Sequence, residues 1–342
     1  MANQEQKKLS DLSYSVLDLV PVLKGGSAGD SIKNTVDIAR HAEKWGYKRY
    51  WMAEHHNNPG IASSATPVLI GHVAAHTSTI RVGSGGVMLP NHSSLVVAEQ
   101  FGTLESMFPG RIDLGLGRAP GTDQLTAKAL RRDYRGDGQD FPEQLAELRA
   151  YFQPGNQVEK MSVNAIPGLG LQIPIWLLGS SGFSAQLAGL LGLPFSFASH
   201  FSPENTLPAL SLYRSSFQAS DTLEKPYSMV CVNVIAADSD AEAHKLASTL
   251  KQYHLNIIRN TRGPLEPPVD SFDSICNAYE KAYLDQKLAK SIIGGHATVR
   301  TQLERFLADT QADEIMINSQ IFVHQARLRS FEIVADILND RL

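Results

Sequence analysis

The stretch `YWMAEHHNNPG`, beginning at Tyr50, ends a run of bulky side chains in Glu54, His55 and His56 and then breaks at Asn58-Pro59-Gly60. A carboxylate beside two imidazoles can hold and move protons near neutral pH. On an extended segment His55 and His56 point to opposite sides, so one metal ion could not easily take both. His72 and His76, four apart in `GHVAAHTS`, lack the glutamate of a zinc-binding HExxH pattern and an evident third ligand. No metal is therefore expected, and with no G-x-S-x-G there is no sign of a serine hydrolase elbow.

Three glycine-bearing motifs accompany that proton-handling cluster. `GLGRAPG` (115–121) starts like a dinucleotide fingerprint, but Pro120 stands where its third glycine belongs. Arg118 in that run offers a planar fork suited to two phosphate oxygens, with a surface ion pair as the plainer alternative. In `LLGSSGFSAQLAGL`, Gly179, Ser180 and Ser181 stand where a strand ends and a helix begins. Free helix N–H groups and two hydroxyls there suit an anion, although serine caps many helices without one. Gly85 and Gly86 in `GSGGVMLPNH` are either a bulge, clearance for a flat ring, or an unusual peptide geometry.

The elements that position these residues follow a rhythm. Strand-like runs occur near 13–19, 48–53, 79–84, 111–116, 174–178, 194–198, 227–236 and 313–318, mostly followed by helical patterns. Strands apolar on both faces with helices between them indicate a covered parallel sheet. Eight in one long chain favour a closed (β/α)8 TIM barrel over an open doubly wound sheet. In such a barrel the active site lies at the C-terminal strand ends. Glu54-His55-His56, Gly85-Gly86, Gly117-Arg118, Gly179-Ser180-Ser181, Ser199-His200 and Asn318 all follow strands. The expected organisation is a flexible N-terminus (1–10) and a single barrel domain (11–342). Residues 255–293 form an insertion that is a candidate lid, with disorder as the alternative.

Bulk properties set limits. The chain has 342 residues, 43% apolar and 19% charged, with 31 Lys+Arg against 35 Asp+Glu for a net charge of −4. Nothing there calls for nucleic acid or an anionic membrane as partner. No signal-like apolar region follows the first lysines, and no run of about 18 apolar residues suggests a membrane span. Cys231 and Cys276 lack metal-type spacing and read as free thiols. A cytoplasmic protein is expected.

Together `YWMAEHHN`, `GSGGVMLPNHSSLVVAEQFGTLESMFPGRIDLGLGRAPGTD` and `IPIWLLGSSGFSAQLAGLLGLPFSFASHF` resemble the bacterial-luciferase-like flavin monooxygenases, nearest their YhbW-type branch. The resemblance extends over roughly residues 11–340, and it implies a (β/α)8 barrel with an insertion near its last strands. By that resemblance His55 matches the active-site histidine and Glu54 its acidic, orienting neighbour. Gly85 and Gly86 match the pair flanking a non-prolyl cis peptide under the isoalloxazine ring. Arg118 matches the arginine that grips the FMN phosphate, and Gly179, Ser180 and Ser181 the phosphate loop. Gly117 replaces luciferase's reactive cysteine, which puts light emission in doubt. Gly179 replaces a glutamate, and Pro120 removes a backbone donor.

The implied function is a two-component monooxygenase. A separate flavin reductase supplies reduced FMN as co-substrate, dioxygen is activated as a flavin peroxide, and a small organic molecule receives one oxygen atom. A deazaflavin-dependent oxidoreductase and a non-catalytic flavin-binding protein are the rivals. The helical segments 65–76 and 94–108 are apolar beyond a narrow stripe, with small Ala65, Gly71, Ala74 and Ala75. They suit deep burial or, as the resemblance implies, a homodimer interface.

Overall fold

The computed structural model describes residues 7–131, 138–154 and 163–340. The chain runs β1 (Ser13–Asp18), α1 (Ala28–Trp45), β2 (Arg49–Met52), α2 (Thr66–Ala75), β3 (Arg81–Ser84), β4 (Val87–Met88), α3 (Ser94–Met107) and β5 (Ile112–Gly117). It continues through α4 (Gln124–Leu130), α5 (Phe141–Phe152), β6 (Ile175–Gly179), α6 (Gly182–Leu190), β7 (Phe195–Ala198), α7 (Thr206–Ser216) and β8 (Ser228–Ala236). Then come α8 (Asp240–Ile258), α9 (Ala278–Lys287), β9 (Ile292–Gly294), α10 (His296–Thr310), β10 (Glu314–Asn318) and α11 (His324–Leu338). Each expected strand is present.

Strand order is β1-β2-β3-β5-β6-β7-β8, and β10 closes the ring by pairing with both β8 and β1, all in parallel. The result is the TIM barrel that the strand rhythm implied. Two short strands are additional. β4 pairs Val87 and Met88 with Leu116 and Gly117, and β9 extends β8 through Val234–Ala236. Both follow segments that do not alternate clearly, so periodicity gave no signal for them.

Barrel strands are buried along both faces because each side has a different apolar partner. Val16, Tyr50, Val82, Ile112 and Leu114 face the helical ring, while Leu17, Trp51, Trp176, Met229, Cys231 and Met316 fill the interior. Each such side chain contributes about 1.5–3 kcal/mol relative to exposure. α1 illustrates the fit: Thr35, Ile38, Ala39 and Ala42 recur on its buried face. Its cap is Ser27. Ser27 Oγ accepts the Asp30 N–H while the Asp30 carboxylate accepts the Ser27 N–H, a reciprocal capping box. Gly46 ends the helix at φ 93°, as expected of a glycine there.

Residues 7–10, expected to be flexible, are pinned instead. Lys7 bonds Asp313 and the carbonyls of Gln311 and Ala312, and Leu9 is buried. Residues 1–6 lie outside the described residues. The 255–293 insertion is ordered: it begins inside α8, carries α9, and ends inside β9. Its Leu265 bridges to Leu23, Gly263 packs on Gly60, and Arg259 holds Glu280 bidentately at 2.7 and 2.8 Å. It therefore lies against the loops that follow β1 and β2. Among the described residues no helix is long and apolar enough to cross a membrane.

Candidate active site

At the C-terminal end of β2 the chain stays extended, so successive side chains alternate. Glu54 and His56 fall on one side and His55 on the other. Glu54 was expected to orient His55, but its carboxylate turns away from that ring. Its Oε1 accepts His56 Nε2 at 2.8 Å and His92 Nε2 at 2.9 Å, and its Oε2 accepts the Met88 N–H at 3.1 Å. Burial alone would raise this carboxyl, yet those donors outweigh it and hold it at about 2. Glu54, His56 and His92 bring one ligand atom each within 4.8 Å, the described His/Cys/Asp/Glu trio with metal-like proximity. Two ring N–H groups on one carboxylate oxygen make it a hydrogen-bonded network.

This network ties β2 to the glycine pair. The Gly85–Gly86 peptide is cis, as the resemblance implied. Gly86 O accepts the Glu54 N–H at 3.3 Å, and Gly85 N donates to Met52 O at 2.8 Å. A Cβ on Gly85 would sit 2.7 Å from Leu17 Cδ1, and one on Gly86 2.7 Å from Gly115 O. Gly86 has no room for a side chain against the Gly115 backbone, and one on Gly85 would have to displace Leu17, so the wall there is bare backbone. A Cβ on Gly117 would likewise meet Met88 Sδ at 2.5 Å, so Met88 occupies the room that a larger residue would need.

His55 faces the barrel mouth. Its N–H is bonded to Ser63 O at 2.9 Å, but its Nδ1 is buried without a partner among the described residues. Burial lowers its pKa to about 4; Glu54 opposes this, while His56 and Arg262 add to it. His200, after β7, also has a buried Nδ1 without a partner, and burial beside His254 and His55 brings it to about 3. His254 on α8 is lowered to about 4, by burial first and then Lys287. All three rings are neutral at pH 7. Ser63 Oγ, Asn318 Oδ1 and Gln320 Oε1 are further buried polar atoms lacking partners, with Trp176 Nε1 deeper in the barrel. Orphaned groups of this kind converge where a ligand would complete them.

Across the mouth, Arg118 follows β5 and stacks its guanidinium 4.2 Å from the centre of the Phe183 ring, on the first turn of α6. Ser181 is the N-cap of α6, yet its hydroxyl makes no capping bond, and Ser180 O accepts Ser202 Oγ at 3.1 Å. Gly179 packs its α-carbon against Ser184 and Phe195. Thus Arg118, Gly179, Ser180 and Ser181 meet around one helix N-terminus, a geometry that favours an anion. His72 and His76 lie away on α2, with His76 Nδ1 on His72 O.

Residue type and spacing did not reveal His92, Gln320 or Arg262 as members of this region. His200 was placed there by its position after a strand. The others arrive from loops whose direction only packing sets.

The family model described as luciferase-like monooxygenase matches residues 13–314. The chain belongs to this family. It is 60% identical over 341 residues to the uncharacterized protein YvbT of Bacillus subtilis, covering 100% of each chain. It is 53% identical to a luciferase-like monooxygenase of Escherichia coli, covering 97% of this chain and 98% of that one. Among solved structures, apo-MsnO8 superposes with a TM-score of 0.84 at 34% identity, covering 95% and 98%. The oxygenating constituent of 3,6-diketocamphane monooxygenase from Pseudomonas putida, solved with FMN, shares the fold: TM-score 0.73, 16% identity, covering 97% and 99%. A further structure of the same fold, at 13% identity and a TM-score of 0.67, is an F420-dependent secondary alcohol dehydrogenase.

Proposed function

We propose that this luciferase-like protein is a reduced-FMN-utilising, two-component monooxygenase acting on a small organic substrate, within the YhbW-type branch. The observation that carries the reading is His55: a neutral imidazole with a free, buried Nδ1, tied through Glu54 to the bare cis peptide. FMN fits the residues present. Arg118 with the N-terminus of α6, Gly179, Ser180 and Ser181 would hold its phosphate, and the Gly85–Gly86 backbone would lie against its ring. When bound and reduced, the flavin supplies the electrons that activate dioxygen.

The chain's own residues do the rest. His55, depressed to about 4, is unprotonated at pH 7 and accepts a proton at Nδ1 as the substrate is oxygenated. Glu54 keeps the 88–92 segment and the glycine pair in place rather than exchanging protons itself. The insertion carrying Leu265 and Gly263 packs over the mouth and excludes water, the role of a lid.

Two partners belong to the same reading. A separate flavin reductase would deliver reduced FMN. A second copy would dock on α2 and α3, whose Val68, Val96 and Met107 are 70, 43 and 60% exposed, unlike the deep burial of Ile70 and Phe101. A monomeric mass at micromolar concentration would refute that dimer.

The deciding experiment is anaerobic equilibrium binding of oxidised and reduced FMN to wild type and Arg118→Ala, followed by admission of air. The proposal expects tighter binding of the reduced form, its loss in the variant, and reoxidation that lags well behind that of free flavin. Equal affinities with immediate reoxidation would instead favour a flavin-binding protein without turnover. Failure to bind FMN, with binding of F420, would favour a deazaflavin-dependent oxidoreductase.

A further inference from the structure

Between α8 and α9 the chain brings Arg262 to a small cavity of about 210 Å3 at the barrel mouth, shared with His55, His56, Thr122, Tyr253 and Asn256. Most arginines that reach a carboxylate in this molecule are committed to it: Arg49, Arg81, Arg259, Arg300, Arg327 and Arg329 each form an ion pair. Arg262 forms no ion pair or side-chain hydrogen bond among the described residues. Its charge is nevertheless felt within the cavity, where it acts on both His55 and Tyr253.

The surrounding charges do not neutralise it. Glu54, next to His55, is sealed by His56, His92 and the Met88 N–H. Asp123, beside Thr122 on the rim, is occupied by Asn57 at 3.1 Å and by Thr126 at 2.8 Å. Lys287, the cation nearest His254, is taken by Glu204 at 3.1 Å. His55, His200 and His254 are neutral at pH 7. The cavity therefore presents, on its outer and exposed wall, a cation without an ion-pair partner among the described residues and, on its inner wall, the buried, unpartnered Nδ1 of the imidazole assigned to proton transfer.

We infer that Arg262 is a specificity-determining residue that anchors the carboxylate of an anionic organic substrate, holding its reacting end against His55. This deepens the monooxygenase reading and rests on it. A guanidinium suits the task because its planar fork meets a carboxylate with two parallel hydrogen bonds. Placed on the insertion, it couples recognition to coverage: a substrate bridging Arg262 and His55 at the strand ends fastens the insertion over the mouth. The other anion at hand is the flavin phosphate, whose proposed seat is across the barrel at Arg118 and α6.

The test uses calorimetric titration of full-length wild type, Arg262→Gln and Arg262→Lys with acid–amide pairs differing only in charge. The pairs are 4-phenylbutanoate, benzylthioacetate and octanoate with their carboxamides, each with and without saturating oxidised FMN. For at least one pair the wild type should bind the acid about tenfold more tightly than the amide, the scale of one charge-assisted pair. Arg262→Gln should reduce that preference to about twofold or less, Arg262→Lys should retain part of it, and FMN affinity should be the same in all three proteins. A preference surviving in Arg262→Gln, or no acid in the panel binding better than its amide, overturns the inference. FMN affinity falling in Arg262→Gln would reassign the arginine to the cofactor phosphate and overturn it as well. Failure of wild type to bind FMN would refute the cofactor reading while leaving the acid–amide comparison intact.

Discussion

The two ends of the barrel treat buried polar groups in opposite ways. At the N-terminal end Arg49 donates to Asp113 at 2.7 Å and to Glu314 at 3.0 Å. Arg81 and Trp51 complete Asp113 at 2.9 and 3.1 Å, and Tyr227 and Ser15 complete Glu314. Each charge there has a partner. At the C-terminal end His55 Nδ1, His200 Nδ1, Asn318 Oδ1 and Gln320 Oε1 have none among the described residues. A buried polar atom without a partner costs about 1–3 kcal/mol. The charges of the floor are paired by the fold itself, although Trp176 Nε1 beside Arg49 has no partner among the described residues, whereas the mouth gathers several such atoms that a ligand would complete.

Breaking the floor should have the largest effect on stability. Arg49→Ala leaves two buried carboxylates short of their cation, and the loss should be about 3–5 kcal/mol in chemical denaturation. Arg49→Met would keep the volume yet remove the same two ion pairs, leaving Asp113 to Arg81 and Glu314 to Lys48 at 3.8 Å, so a nearly neutral result for it would weaken the contrast between the ends. Glu54→Ala, in the collar between floor and mouth, removes the acceptor of His56, His92, Asn91 Nδ2 and the Met88 N–H. It should cost about 1–3 kcal/mol and weaken FMN binding through the displaced 88–92 segment, read by denaturation and flavin titration in parallel.

Acid should act through the mouth. Folding depresses His55, His200 and His254 from an ordinary value near 6.5 to about 4, 3 and 4. Below about 6.5 the unfolded chain takes up protons that the folded chain refuses. Their contribution is thus complete above that pH and is lost as pH falls toward 4, at up to about 1.4 kcal/mol per unit for each group. Denaturation midpoints between pH 7 and 4.5 for wild type and His55→Gln/His200→Gln should show a shallower acid loss in the double variant. The smallest effect on stability belongs to His55→Leu, which discards an unpaired atom and should leave the midpoint within about 1 kcal/mol of wild type or above it. Turnover should nevertheless fall by about 10²–10⁴, the usual contribution of a proton-transfer group. A stability loss as large as that of Arg49→Ala would erase the distinction between the two ends.

Much of the mouth was legible because its residues sit in short motifs directly after strands. `AEHH`, `GSGG`, `GLGR` and `GLLGLPFSFASH` place their polar groups by local geometry, and strand alternation even separates His55 from Glu54 and His56. The orienting role assigned to Glu54 failed for want of a distant fact: His92, 38 positions on, approaches the opposite side and claims the carboxylate. The floor network was not anticipated at all. It joins β2 to β5 and β10 across separations of 64 and 265 residues, which no local pattern encodes.

The sequence by itself determined what local physics controls: eight strands apolar on both faces, helices between them, glycines where backbone alone can pass, and proton-handling and phosphate-suited residues at strand ends. The count of eight strands favoured a closed ring over an open doubly wound sheet, and the pairing of β10 with both β8 and β1 decided it. Only the tertiary structure decided which partners meet: Glu54 with His92, Arg118 with Phe183 on α6, and Arg262 with the cavity of His55. The reason is that such contacts depend on loop direction and helix docking. Those are set by the packing of the whole barrel and not by any neighbour in the chain.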